Sequence, residues 1–352
     1  MKKSGVRSLK KGIIEDKKLR SWEVKKSQPL NFSTSQLLID MFTVYCLLLT
    51  VLYGCVSSKK IEMPKAQAKA IEFNQRGVNA VEAGDYERAL IEFKKSLSLN
   101  TSIDNQKGMA VNFLNLGRVY LLTDRFNKAG MALRRAMETG AALNDQFLIS
   151  EANASLGRYY DLMGNNKEAA DYLESAVSID RKEGHHTIGN RLNMLATIYK
   201  EDNRMEEAEK IFNDALKASK DYGIEIDTAD SLRGLGDISL TRGDYKRARE
   251  LYENALSIDK KIGNATQIYF DLFSLGKLSI AEGNNQKAVE LFLRAYSVAD
   301  NRGNYRQALK TLDKLIELFS IMGDETNAKT YSFKRERLLQ KVRPLEQEEG
   351  MP

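Results

Sequence analysis

The chain has 352 residues, 42% of them hydrophobic and 29% charged, with a formal net charge of +6. A basic balance invites a nucleic-acid reading, but residues 1–54 hold ten Lys or Arg against four Asp or Glu, and the remainder is balanced. With the excess confined to one end, the bulk of the chain lacks the basic stripe that a phosphate backbone requires, and nucleic acid is excluded as its partner.

The basic segment reads as a targeting signal. Lys25 and Lys26 precede an apolar run from Met41 to Gly54. At about 14 residues it is short for a bilayer span and suits the apolar region of a secretory signal. The run ends in Leu52-Tyr53-Gly54-Cys55, which resembles a bacterial lipoprotein cleavage box, with Cys55 as the lipid-bearing residue and Tyr53 departing from the small residue usual there. Two alternatives stay open: an uncleaved signal anchor beginning at Leu37 and containing Asp40, and an unprocessed buried segment. Signal and anchor both leave the basic residues in the cytoplasm and export the C-terminal remainder of the chain. Val24 stands directly before Lys25, and a valine codon can act as a bacterial start, so residues 1–23 are expected to be an upstream extension. Cys46 and Cys55 are the only cysteines, which after cleavage leaves no internal disulfide and no thiolate metal site. Residues 55–65 read as a polar tether.

Beyond the tether one alanine keeps returning. Ala89, Ala129, Ala169, Ala208, Ala248, Ala288 and Ala328 stand 40 residues apart, except for a step of 39 between Ala169 and Ala208. The four prolines are Pro29, Pro64, Pro344 and Pro352, so nothing between 64 and 344 interrupts helix. Turn signals divide each unit into two helices. Within units these are Gly84-Asp85, Gly164-Asn165, Gly243-Asp244, Gly283-Asn284 and Gly323-Asp324; between units, Gly184, Gly223, Gly263 and Gly303. A glycine that ends one helix and an Asp or Asn that starts the next satisfy the orphan carbonyls and amides of both ends. The predicted pairs are 66–82 with 86–99, 105–122 with 126–143, 146–163 with 167–183, and 186–201 with 205–222. They continue as 226–242 with 245–262, 266–282 with 286–301, and 305–322 with 325–341. The seventh unit is degenerate, with Ile316, Ser332 and Arg335 at signature positions, as a capping repeat requires. Residues 342–352 read as a loose tail.

The signature residues resemble those of the tetratricopeptide repeat. Leu116-Gly117-Tyr120 precedes Ala129, Leu133 and Ala136; Leu156-Gly157-Tyr160 precedes Ala169, Leu173 and Ala176; Leu275-Gly276 precedes Ala288, Phe292 and Ala295. In the fourth unit Ala196 replaces the glycine. The family's common unit is 34 residues, and the 40-residue step is similar to the longer variant of kinesin light chain. Over residues 66–341 the resemblance implies an all-α, right-handed solenoid of about seven antiparallel helix pairs.

No constellation in the array points to catalysis or to a cofactor. His185 and His186 are the only histidines and lack further ligands for zinc. Gly234-Leu235-Gly236 lies inside a helix and reads as packing, and Glu206-Glu207 as a solvated face. What remains is the concave face, which the resemblance implies is lined by first helices and takes peptides or helices of partner proteins. Carried over by position, the groove holds Arg118, Arg158, Asn193, Arg233, Phe270, Phe273 and Lys277, with Val111, Leu114, Glu151, Thr197, Asp237 and Asp313 beside them. A chaperone-type carboxylate clamp is rejected, because Asn74, Val78, Glu151 and Ser155 occupy its positions and Asn115 alone matches. The expectation is a non-catalytic interaction scaffold held at a bacterial cell envelope, with the repeats on the extracytoplasmic side. The alternative is a peptide-sensing regulatory receptor of the same fold. Neither reading needs a small-molecule substrate.

Overall fold

The computed structural model describes residues 64–349, with side chains to residue 340. The leader, Cys55 and the expected tether up to residue 63 lie outside the described residues, as does the end of the tail after residue 349; Lys65, expected in the tether, opens the first helix. Fourteen helices and no strand occur among the described residues. Seven antiparallel pairs follow one another: α1 (Lys65–Glu82) with α2 (Tyr86–Ser102), α3 (Gln106–Leu122) with α4 (Phe126–Ala142), and α5 (Gln146–Leu162) with α6 (Asn166–Glu183). Next come α7 (Ile188–Glu201) with α8 (Met205–Tyr222), and α9 (Glu225–Thr241) with α10 (Tyr245–Ile262). The last are α11 (Ala265–Ala281) with α12 (Asn285–Asn301), and α13 (Tyr305–Ile321) with α14 (Glu325–Glu349). Each helix packs on the next, and successive first helices also touch, which makes a helical solenoid.

The turns are more regular than their glycines suggest. A left-handed residue recurs every 20 positions, at Gly84, Asp104, Asp124, Asn144, Gly164 and Gly184, and after one step of 19 at Asn203, Gly223 and onward to Gly323. One turn therefore serves both within and between pairs. After it the chain caps the following helix: Asp85 accepts from the Arg88 amide at 3.1 Å, Asn105 from Gly108 at 3.2 Å and Asn284 from Lys287 at 3.0 Å. At the left-handed glycines nothing lies within 4 Å of where a Cβ would stand. Only the backbone dihedral limits such a site, and Asp and Asn bear that best among residues with a side chain.

Packing between helices explains the signature. Ala89, Ala129, Ala169, Ala208, Ala248 and Ala288 are fully buried where paired helices touch. A Cβ on Gly236 would stand 2.6 Å from the Tyr252 ring, and one on Gly276 would stand 2.8 Å from Phe292. In the fourth pair Ala196 takes the glycine's place, and the Phe212 ring lies against Gly234 of the next pair instead. Each large side chain so enclosed is worth about 1.5–3 kcal/mol. Ala328 is only half-buried, since nothing stacks on α14.

Three boundaries differ from those expected of the sequence by two residues or more; helix α2 runs on to Ser102, past residue 99. Helix α7 starts at Ile188, not residue 186, because the missing residue of the 39-residue step is absorbed at its N-terminus. The segment from His185 to Thr187 is a turn. Helix α14 runs on to Glu349, past Pro344. Proline removes one donor, whereas a helix stop needs a left-handed cap, and no glycine occurs there before Gly350. Far along the chain, Arg306 on α13 reaches Asp124 in the turn after α3 at 3.2 Å, so the superhelix has come round upon itself.

Candidate functional site

The first helices of pairs two to five, α3, α5, α7 and α9, wall a concave cavity of about 820 Å³. That volume lies in the ordinary range for ligand sites. Repetition sets its lining. One position of successive helices supplies Arg118, Arg158, Thr197 and Asp237, and another supplies Glu151, Asn190 and Asp230. At the first of these positions the residue changes from basic to acidic along the superhelix, and at the second no basic residue occurs.

At the basic end two guanidiniums share one carboxylate. Glu151 accepts from Arg118 and from the buried Arg191, while Arg118 Nε also donates to Ser155 Oγ at 3.0 Å. Arg191 Nε lies 3.8 Å from Asp180 Oδ2 on the last turn of α6. Asp180 is wholly buried, accepting from Ser150, from Thr187 at 2.7 Å, and standing 2.9 Å from His185 Nδ1. His185 thus anchors the turn before α7, and the exposed His186 faces the cavity. Among the described residues no group of three or more His, Cys, Asp or Glu could hold a metal ion.

At the acidic end one guanidinium meets three carboxylates. Arg233 donates from Nη1 to Asp230 at 2.5 Å, from Nη2 to Asp259 at 2.6 Å and from Nε to Asp271 at 2.7 Å. Asp259 and Asp271 are wholly buried, and Asp259 Oδ1 and Asp271 Oδ2 have no other partner. The two carboxyls lie close enough to interact, and a proton on one lets it donate to the other. Burial and the neighbouring Asp271 charge push the Asp259 carboxyl up to about 7. Burial likewise raises Asp271 and Asp230 against the pull of Arg233. Asp227, buried on the same wall, is pushed up to about 6 by burial and by Asp230. Asp237 behaves oppositely: burial raises it, but Lys200 and Lys277 outweigh that and hold it below the usual range. It accepts from Lys200 at 2.6 Å and from the Tyr252 hydroxyl at 2.7 Å.

Of the residues expected in the groove, the cavity brings together Arg118, Arg158, Asn193 and Arg233, with Glu151, Thr197 and Asp237. Asn193 is buried: its amide donates to the Asp227 carbonyl at 2.8 Å and accepts from Ser231 at 2.7 Å, tying α7 to α9. Phe270, Phe273 and Lys277 do not line the cavity. Lys277 is exposed, and Phe270 is 41% exposed with its edge against Tyr269. Phe273 corrects the expectation of two groove-facing rings. It is 7% exposed, packs at 5.0 Å on Phe292 and 5.7 Å on Tyr269, and carries the Lys310 ammonium over its ring. Three residues along a helix turn the side chain by about 60° relative to its neighbour on that face, enough to move a ring from lumen to inter-repeat seam. Leu114 is likewise core, and Asp313 pairs with Arg335. A second cleft, of about 220 Å³, lies at the N-terminal pairs and includes Val111 and a chain of amides, Asn115 and Asn112 donating to Asn74.

A family model for the tetratricopeptide repeat matches residues 108–182, 148–221 and 187–261 in overlapping stretches. Residues 108–261 are built of tetratricopeptide repeats. Solved structures superpose on the array. A Rap protein complexed with Competence and Sporulation Factor is 13% identical, with a TM-score of 0.63, over 80% of this chain and 78% of that one. Aspartyl phosphate phosphatase F from Bacillus subtilis is 14% identical, with a TM-score of 0.60, over 88% and 76%. A signal transduction ATPase with a tetratricopeptide repeat sensor from Pyrococcus horikoshii is 20% identical, with a TM-score of 0.58, over 80% and 45%. At these identities the likeness shows a shared fold. No curated protein matches the sequence.

Proposed function

We propose that this tetratricopeptide-repeat protein is a non-catalytic receptor that holds a short peptide segment in its central cavity. The observation that carries the reading is the cavity itself, whose wall sets charged and polar side chains among apolar surface over four successive first helices. A wall that served only to solvate a curved layer would not need buried carboxylates and guanidiniums, which cost free energy to desolvate. A cavity of about 820 Å³ admits a few residues of chain and no folded domain, which favours a peptide over a large partner. One structure of the same fold was solved in complex with Competence and Sporulation Factor, which agrees with a receptor role. A photo-activatable residue placed at Thr197, on the cavity wall, should give low-mass peptide adducts in the native membrane. The same residue at Met131, exposed on α4, should not. Equal labelling at both positions, or none at Thr197, would overturn the reading.

The receptor is further proposed to be exported and held at the outer side of a bacterial membrane by lipid on Cys55, with the repeats extracytoplasmic. The cleavage-box residues Leu52 to Cys55 support this, and stable anchoring follows because several acyl chains act together at about 0.8 kcal/mol per buried methylene. Cys55→Ser should leave a longer, unprocessed precursor. Unchanged mobility and unchanged detergent partitioning in that variant would remove the lipid from the proposal.

A further inference from the structure

The charges of the cavity wall are almost all consumed by one another. Arg118 and Arg191 are held by Glu151, Lys200 by Asp237, and Arg233 by Asp230, Asp259 and Asp271. Two lining groups stand outside this pairing. Arg158 on α5 is exposed and makes no ion pair or hydrogen bond among the described residues. Asp227 at the start of α9 is 5% exposed and makes no ion pair within salt-bridge distance; Asn190 hydrogen-bonds it, and Asp230 and Arg191 act on it only through their charge.

We infer that the cavity selects a short peptide bearing opposite charges at its two ends, its acidic end on Arg158 and its basic end on Asp227. This rests on the reading of the cavity as a peptide site and adds to it the chemistry and length of what it accepts. The two residues lie on first helices separated by two repeat steps. Arg158 is the equivalent of Asp237, ten residues past Asp227. The two are therefore offset by about 15 Å along the helix axis as well as by two steps of about 10 Å. A backbone of about seven to eight extended residues at about 3.3 Å each, or a pentapeptide whose long terminal side chains reach outward, spans the roughly 25 Å between them. An ion pair formed there is enclosed on several sides, so water screens it less than at an open surface. A basic end laid on Arg158, or an acidic end laid on Asp227, meets a charge of its own sign, which supplies rejection as well as attraction. A peptide charged alike throughout is therefore disfavoured at one end whichever way it lies.

The test uses the full-length protein in detergent and pentapeptides acetylated and amidated at their termini, so that only side chains carry charge. Four classes are offered together at neutral pH, with the three central positions randomised. They carry Lys first and Glu last, Glu first and Lys last, Lys at both ends, or Ser at both ends. Retained peptides are read by mass spectrometry. One of the two opposite-charge classes should be retained about tenfold or more over the Lys–Lys and Ser–Ser classes, and raised salt should erode the difference. Arg158→Glu should shift retention towards the Lys–Lys class, and Asp227→Asn should abolish the preference for a lysine end. Arg158 is exposed and Asn matches Asp in shape, so both variants should keep the wild-type helical signal and melting temperature. Equal retention of all four classes would overturn the charge selection while leaving the cavity a peptide site. Retention of no class by the wild-type protein would overturn both. An unchanged preference in Arg158→Glu would remove that residue from the site.

Discussion

Two junctions of the array solve one problem differently. The last turn of each second helix is buried against the first helix of the following pair, and polar residues occupy this contact repeatedly. Between pairs three and four it holds Asp180 against Arg191; between pairs five and six it holds Asp259 against Asp271. The first junction is complementary in itself, with Ser150, Thr187 and His185 completing the shell of Asp180. The second sets acid against acid and depends on Arg233, which reaches across from α9. A buried charge at a repeated position is thus tolerated where either the partner or a neighbouring helix supplies its opposite. The first junction can lose its cation and keep three hydrogen bonds to Asp180, whereas the second has no replacement for Arg233.

Removing each cation breaks the comparison open. Arg233→Met should destabilise the protein by about 3–5 kcal/mol, the usual cost of stripping the partner from buried charge. Arg191→Met should cost less, about 2 kcal/mol, because Asp180 retains its neutral donors. Equilibrium denaturation of the two variants measures the difference. Because a linear array unfolds by neighbouring units, the Arg233 variant should also show a separate early transition. Equal losses in the two would mean that the junctions do not differ in the way described.

The smaller effect concerns pH. The Asp259 carboxyl titrates near 7 in the folded chain and near 4 when unfolded. The folded state therefore binds a proton that the unfolded state has released. Its contribution is fully present below the unfolded value and is lost as pH rises through about 7. Asp259→Asn supplies a permanent donor between Asp271 and Arg233. The melting temperature of the variant relative to wild type should therefore rise between about pH 5.5 and pH 8, by an amount worth about 1–2 kcal/mol. A difference that stays flat with pH in Asp259→Asn would show that no proton is shared.

The solenoid was legible because its information is local and repeated. The alanine column marks the closest helix contacts, and glycine followed by Asp or Asn marks the turns. The turns at Asp104, Asp124, Asn144 and Asn203 escape a search for glycine, since the strain there is purely dihedral and a short polar residue bears it. Counting 20 residues from each recognised glycine finds all four. The cavity was legible in part. Position within a first helix was enough to place Arg118, Arg158 and Asp237 on its wall. The same rule misplaced Phe273, whose ring turns into the seam between pairs and packs on Phe292 and Tyr269. Buried networks were not legible at all. Arg233 finds Asp271 38 residues away and Arg191 finds Glu151 40 residues away, and no spacing rule separates those acids from the many that face solvent.

The contact from Arg306 to Asp124 has a mechanical meaning. Both side chains are largely exposed, so the pair contributes at most about 1 kcal/mol and weakens in salt. The separation of successive coils is then governed by the angles at thirteen near-identical turns, not by adhesion between coils. Small angular changes of one sign at each turn add together along the axis, while changes of alternating sign cancel. The described array is accordingly stiff within any pair and compliant as a whole, like a coil spring whose length reports the sum of many small twists. A ligand that alters the angle between α5 and α9 by a little would displace the far end by much more.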